Sequence, residues 1–215
     1  MPVRAVFLDV GETLIDETRD WEAWADHLGV PRFTMLGVLG GIAARGEHHT
    51  EVFTRLAPGL DVAAADRERR ARGLFDGFGP QDLYPDALPC LRALKAAGFR
   101  VGIAGNQPAE VEAFLRELDA PVDVVASSTS WGVEKPSPEF FLRVAMAARV
   151  TPAEIAYVGD RVDNDVMPAV AAGMVAVLIR RGPWGIVQAG WPEAMRARIR
   201  ADSLEHAAER LVTLA

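Results

Sequence analysis

Five short apolar runs set the architecture of this chain. They fall at residues 3–8, 101–104, 122–126, 155–158 and 175–179, and turns bound them. A short run that is apolar at almost every position suits a strand buried on both faces, not one with a wet side. Helical patterns lie between the runs. Residues 86–97 carry apolar side chains at 87, 88, 91 and 94, with Gly98 as a stop. Residues 108–118 follow the second run, and residues 165–172 end at Gly173. Residues 138–148 open with Ser137 as N-cap and Pro138 at the first helical position. "TPAE", residues 151–154, has the form of a capping box with proline at N1. Strands alternating with helices predict βαβ units, hence a three-layer, Rossmann-like α/β core around a mainly parallel sheet.

One region breaks this rhythm. Residues 16–83 contain no convincing strand and read as helices at 21–28, 33–44, 49–56 and 63–75. The stretch is too long for a loop. It predicts a small all-helical cap at 16–83, inserted into a core made of residues 1–15 and 84–215. A cap at that point lies over the carboxyl ends of the strands, where open α/β sheets bind their ligands. No apolar stretch approaches the roughly 18 residues of a membrane helix. The N-terminus enters a strand pattern without a basic and apolar leader, so no secretion signal is expected. The single cysteine, Cys90, has no internal partner, which fits a reduced, cytoplasmic setting. A net charge of −7 argues against a nucleic-acid partner, which calls for a basic face.

Four segments that follow predicted strands carry the candidate chemistry. "VFLDVGETL", residues 6–14, delivers Asp9 at a strand end and then turns toward Thr13. "IAGNQP", residues 103–108, puts Gly105 and Asn106 before a helix, where backbone N–H groups can bind an anion. "VEKPSPEFF", residues 133–141, holds Lys135 in a chain with one other lysine, Lys95. "GDRVDND", residues 159–165, crowds Asp160, Asp163 and Asp165 together. Carboxylates so close repel one another unless they are solvated or share a cation. Mg2+, a hard cation that takes one or two carboxylates with water and substrate oxygens, is the natural candidate. Each segment has a bland reading as well: a capped turn, a surface lysine, a solvated acidic loop.

In order and spacing, these segments resemble the haloacid dehalogenase-like hydrolase superfamily, in the branch with a small helical cap after the first motif. The resemblance covers nearly the whole chain. It implies that Asp9 is the nucleophile and forms an aspartyl-phosphate that water then hydrolyses. It implies that Lys135 neutralises the nucleophile and the phosphoryl oxygens, with Thr13, Gly105 and Asn106 also at the phosphate. It makes Asp9, Asp160 and the backbone carbonyl of Gly11 ligands of Mg2+, with Asp165 in the outer shell and Asp163 facing solvent. The expected substrate is a small phosphorylated metabolite, with no nucleic acid or membrane as partner.

The sequence departs from that family in two places. Family members usually carry serine or threonine where Gly105 stands, so a hydroxyl contact is missing. Phosphatases of the family generally carry a second aspartate, a general acid and base, where Gly11 stands. Three explanations compete. Glu12 replaces it; the substrate has a leaving group that needs little proton assistance, such as an acyl or enol phosphate; or the chain keeps the fold for binding and has lost most catalysis. A phosphonatase reading fails because residues 16–83 hold no lysine for a Schiff base. A 2-haloacid dehalogenase needs no proton donor, but it needs no metal either and leaves the acidic cluster unexplained. Elsewhere, Trp21 and Trp24 read as packing within the helical region, Trp184 and Trp191 as stacking on the core, and Cys90 as buried and inert. His48 and His49 are adjacent, and neighbours on a helix face different ways, so they do not read as a metal pair.

Overall fold

The computed structural model describes residues 1–215, which form two compact units: Met1–Asp16 with Leu83–Ala215, and Glu17–Asp82. Strand β1 (Ala5–Leu8) leads out to helices α1 (Thr18–Leu28), α2 (Arg32–Ala44), α3 (Glu51–Leu56) and α4 (Val62–Ala71). The chain returns through α5 (Ala87–Ala96), β2 (Arg100–Gly105), α6 (Ala109–Glu117), β3 (Val124–Ser127), α7 (Ser128–Trp131) and α8 (Pro138–Ala148). It ends with β4 (Ile155–Gly159), α9 (Met167–Ala171), β5 (Val175–Ile179), α10 (Gly182–Gln188), β6 (Ile199–Ala201) and α11 (Leu204–Val212).

The α/β unit is a Rossmann-like core whose sheet runs β3-β2-β1-β4-β5-β6. Every neighbouring pair is parallel. β1 is central, with Val6 opposite Val101 of β2 on one side and Ala156 of β4 on the other. The strand order reverses between β1 and β4, and the crevice outside the carboxyl ends at such a reversal is where ligands settle. Successive residues of a strand face opposite sides. Ala5 and Phe7 pack with Phe140, Phe141 and Val144 of α8 and with Ala169 of α9. Val6 and Leu8 are buried on the other face, the side of α5 and α11, which pack on each other. Phe7 lies directly on Gly102, where a β-carbon would stand 2.3 Å from the ring. Full burial of a side chain the size of Phe7 or Phe140 contributes roughly 1.5–3 kcal/mol.

The helical unit has its own core. Trp21, Trp24 and Ala25 form the buried face of α1, which stops at Gly29 in the left-handed conformation. Trp24 meets Phe53 of α3 at 4.6 Å between ring centres. Asp61 caps α4 by accepting from the Ala64 N–H at 3.0 Å. No helix is long and apolar enough to cross a membrane.

Several local expectations need correction. β6 has no counterpart among the predicted runs; it is three residues long with its middle one exposed, so it shows no apolar run. The helix expected at 165–172 is a wide π-turn, Val162–Val166, running into the short α9. Pro168 has no N–H to return to residue 164, which favours this looser winding. The helix expected at 63–75 ends at Ala71. "TPAE" is a 3₁₀ turn, although its box forms: both the N–H and the hydroxyl of Thr151 donate to Glu154. His48 and His49 precede α3 in a turn, and their rings lie 4.1 Å apart.

Candidate active site

The sheet brings the ends of β1, β2 and β4 side by side, and with them the predicted motifs. Asp9 follows β1 directly, tied in by its N–H to the Val158 carbonyl at 2.8 Å. The chain then folds back on itself: the N–H groups of Leu14 and Ile15 both reach the Val10 carbonyl, and Glu12 N–H reaches Ile15. This tight turn needs a left-handed residue, and Glu12 supplies it at φ 49. A non-glycine residue there carries strain of order 1 kcal/mol or more, so its surroundings must hold it. Thr13 is fully buried, and its hydroxyl has no hydrogen-bond partner.

Lys135 lies at the centre of the charge. Its Nζ is 2.7 Å from Asp9 Oδ1 and 2.6 Å from Asp165 Oδ1, and all three side chains are buried. Burial works against its positive charge, but Asp165 and then Asp9 outweigh that and hold the ammonium well above the ordinary lysine value. Asn106 fixes the Lys135 backbone from both sides: its amide donates to the Lys135 carbonyl at 2.9 Å and accepts from the Lys135 N–H at 2.8 Å. The Asn106 side chain is thus a bracket for the lysine, mounted directly after the end of β2.

Asp160 completes the cluster from the end of β4. One carboxylate oxygen from each of Asp9, Asp160 and Asp165 lies within 4.8 Å of the others. Burial, then the nearby Asp165, Asp9 and Glu12 carboxylates, push Asp160 well above the usual carboxylate range. Burial pushes Asp165 up to about 6 against the pull of Lys135. Asp165 also accepts the Arg161 N–H at 2.9 Å, so it braces the loop as well as the lysine. Asp163 lies apart, half-buried and paired with Arg161. Three buried carboxylates around one ammonium leave excess negative charge, and an all-oxygen donor set of this kind fits Mg2+.

Two glycines make room for these acids. A β-carbon on Gly105 would stand 2.5 Å from Asp9 Oδ1, and one on Gly159 would stand 2.3 Å from the Asp165 carboxyl. Gly105 is therefore more than a missing hydroxyl: the Asp9 carboxylate occupies the space a side chain would take.

The bland readings of the remaining residues match their placement. Trp184 is buried with Arg161 over its ring, Trp191 packs against the core cluster, and Cys90 is buried with its thiol pushed up to about 12. The sequence reading missed Tyr84, whose hydroxyl donates to Glu12 Oε2 at 2.6 Å. It also missed Arg181, which donates to the Thr13 carbonyl and to Asp86 and stacks 4.0 Å over the Tyr84 ring. No local pattern marks such pairs, which join residues far apart in the chain.

Comparison with known proteins adds a family. The family profile for haloacid dehalogenase-like hydrolase matches residues 3–173. Glyceraldehyde 3-phosphate phosphatase from Methanopyrus kandleri is 40% identical over 104 residues, 47% of this chain and 45% of that protein. Phosphoglycolate phosphatase from Escherichia coli K12 is 31% identical over 150 residues, 65% of this chain and 59% of that one. The chain thus spans about half the length of the curated relatives it matches. Among solved structures, the putative HAD-hydrolase YfnB from Bacillus subtilis superposes with a TM-score of 0.72 at 17% identity, over 98% of this chain and 99% of that one. A putative haloacid dehalogenase-like hydrolase from Bacteroides fragilis gives 0.69 at 24% identity, over 95% of this chain and 99% of that one. Identities this low speak for the fold alone.

Proposed function

This chain belongs to the haloacid dehalogenase-like hydrolases, and from that premise we propose that it is a Mg2+-dependent phosphohydrolase of a small phosphorylated metabolite, with Asp9 as nucleophile. The observation that carries this reading is the Asp9 carboxylate held at the central strand end, 2.7 Å from a buried ammonium. An Asp9 oxygen attacks phosphorus, the leaving group departs with the bonding electrons, and water later attacks the aspartyl-phosphate and restores Asp9. Lys135 stays charged throughout and offsets the negative charge of nucleophile and phosphoryl oxygens. The Thr13 hydroxyl, buried without a protein partner, and the backbone N–H groups of Gly105 and Asn106 bind the phosphoryl group. Asp9, Asp160 and the Gly11 carbonyl would hold Mg2+, with Asp165 behind them. When bound, the ion offsets phosphoryl charge. The names of the two curated relatives, both phosphatases of small phosphorylated metabolites, support the substrate class.

A panel of phosphorylated metabolites with Mg2+ tests this, with Asp9→Asn as control. Phosphate release by the wild type and not by the variant is the expected result. Release that survives Asp9→Asn removes the nucleophile assignment. Halide release from 2-haloacids without metal would favour dehalogenation, but that metal-free chemistry leaves the crowding of Asp160 and Asp165 around Asp9 unexplained.

A further inference from the structure

We infer that the substrate is one whose leaving group departs as a stable anion, an acyl phosphate above all, because the one carboxyl of the turn after Asp9, that of Glu12, is engaged away from a leaving oxygen. The inference rests on the proposed role of Asp9 as phosphoryl acceptor. It comes from asking what each polar side chain of the α/β unit near Asp9 already does. Gly11 has no side chain, and the Thr13 hydroxyl, buried without a protein partner, is assigned to the phosphoryl oxygens. Two N–H bonds of Lys135 point at Asp9 and Asp165. The Asn106 amide is spent on the Lys135 backbone. Asp160 and Asp165 belong to the acidic cluster.

Glu12 is the one remaining carboxyl in the turn, and its side chain is committed elsewhere. It lies along Gly182: a β-carbon there would meet Glu12 Oε2 at 2.5 Å, Cγ at 2.6 Å and Cβ at 2.7 Å. Gly182 opens α10 just after β5, the second strand from β1, so the carboxylate extends toward that side of the sheet. At its end it accepts the Tyr84 hydroxyl proton at 2.6 Å. Tyr84 is itself held under the Arg181 guanidinium, which is bonded to Asp86 and to the Thr13 carbonyl. Tyr84, Arg181 and Gly182 act as positioning residues that keep Glu12 in its left-handed turn as an acceptor.

The consequence follows from leaving-group chemistry. With an acyl phosphate, Asp9 forms a new P–O bond while the old one breaks, and the electron pair leaves on a carboxylate that needs no proton. Water then attacks the aspartyl-phosphate, the Asp9–phosphorus bond breaks, and both water protons leave on the released dihydrogen phosphate. An alkyl phosphate would have to expel an alkoxide, about ten pKa units more basic than a carboxylate. A positioned general acid is worth about 10²–10⁴ in rate for such a group, and nothing for a carboxylate.

The test compares turnover of acetyl phosphate, a series of substituted phenyl phosphates and glycerol 3-phosphate by the full chain in Mg2+, with Asp9→Asn as blank. The turnover number should fall steeply as leaving-group pKa rises, with acetyl phosphate at least about 100-fold above glycerol 3-phosphate. Gly11→Asp, where it folds, should raise glycerol 3-phosphate turnover about tenfold or more and flatten the series. A flat wild-type series with good turnover of glycerol 3-phosphate overturns the inference and leaves the phosphohydrolase reading intact. No phosphate release from any compound, acetyl phosphate included, overturns both.

Discussion

The two units each bury a cation among carboxylates, and the two clusters differ in charge balance. In the helical unit Arg69 is 2.7 Å from Asp20 and 2.8 Å from Asp66, and Arg70 shares Asp66 at 2.8 Å. Two cations face two carboxylates, and the Arg69 guanidinium also covers the rings of Trp24 at 4.2 Å and Phe75 at 4.7 Å. That cluster is complete as it stands, and it works as packing. In the α/β unit one ammonium, Lys135, faces three buried carboxylates, Asp9, Asp160 and Asp165. A surplus of buried negative charge is costly unless something else arrives to offset it. The balanced cluster serves as packing, and the imbalanced one is the candidate site.

The comparison is most easily broken at its two cations. Lys135→Met should lower turnover by about 10³, since it removes the charge that faces Asp9 and, in the proposed mechanism, the phosphoryl group. The metal-free variant should also melt well below the wild type, with Mg2+ recovering more of the loss than it adds to the wild type. Arg69→Met should do the opposite. It leaves Asp20 and Asp66 short of their partner and should cost about 3 kcal/mol of stability in urea titrations. Turnover per folded molecule should change less than threefold. A stable Arg69→Met protein would show that the balanced cluster contributes little.

Those expectations also show which parts of the molecule can be read from sequence. Asp9, Lys135, Asp160 and Asp165 each follow a strand or a turn that local pattern reveals, and parallel strands must bring such ends to one edge. The inserted helices are equally legible, because the 3.6-residue period shows where they lie. The buried role of Arg69 is not, since an arginine in a helix is read as exposed by default. Tyr84 and Glu12 stand 72 residues apart, and no period links them. The glycine contacts are also silent: the sequence shows a hydroxyl missing at Gly105, but only the fold shows that Asp9 fills the space.

A smaller effect sharpens the comparison through the metal. If Mg2+ binds at the imbalanced cluster as proposed, it should stabilise the folded chain by mass action, by about 2.7 kcal/mol at 100 times its dissociation constant. Asp160→Ala should abolish that increment in melting experiments, and Asp66→Ala in the helical unit should leave it unchanged. Retention of the full Mg2+ response in Asp160→Ala would move the ion to another site.

The smallest effect is the pH dependence of the metal-free protein, and its sign sets Asp165 apart from Asp66. Asp165 has its folded value raised from 3.8 to about 6 by burial. Between those values the folded chain holds a proton that the unfolded chain releases, so stability grows as pH falls through 6 and is lost again as pH rises. Asp160 is shifted in the same direction, again by burial first. In the helical unit the two acids diverge: burial raises Asp20 despite Arg69, whereas the bonds of Asp66 to Arg69 and Arg70 win over burial and lower it. That contribution is lost only in acid, as pH falls below the unfolded carboxylate range. Lowering the pH from 7 to 5 without metal should therefore stabilise the wild type by about 1 kcal/mol. Asp165→Asn should reduce that gain. Saturating Mg2+ should reverse the trend, because protons then compete with a bound cation for the same oxygens. A metal-free protein that instead loses stability steadily from pH 7 to 5 would mean that the three carboxylates are not crowded, and the imbalance that distinguishes the site from the helical core would be gone.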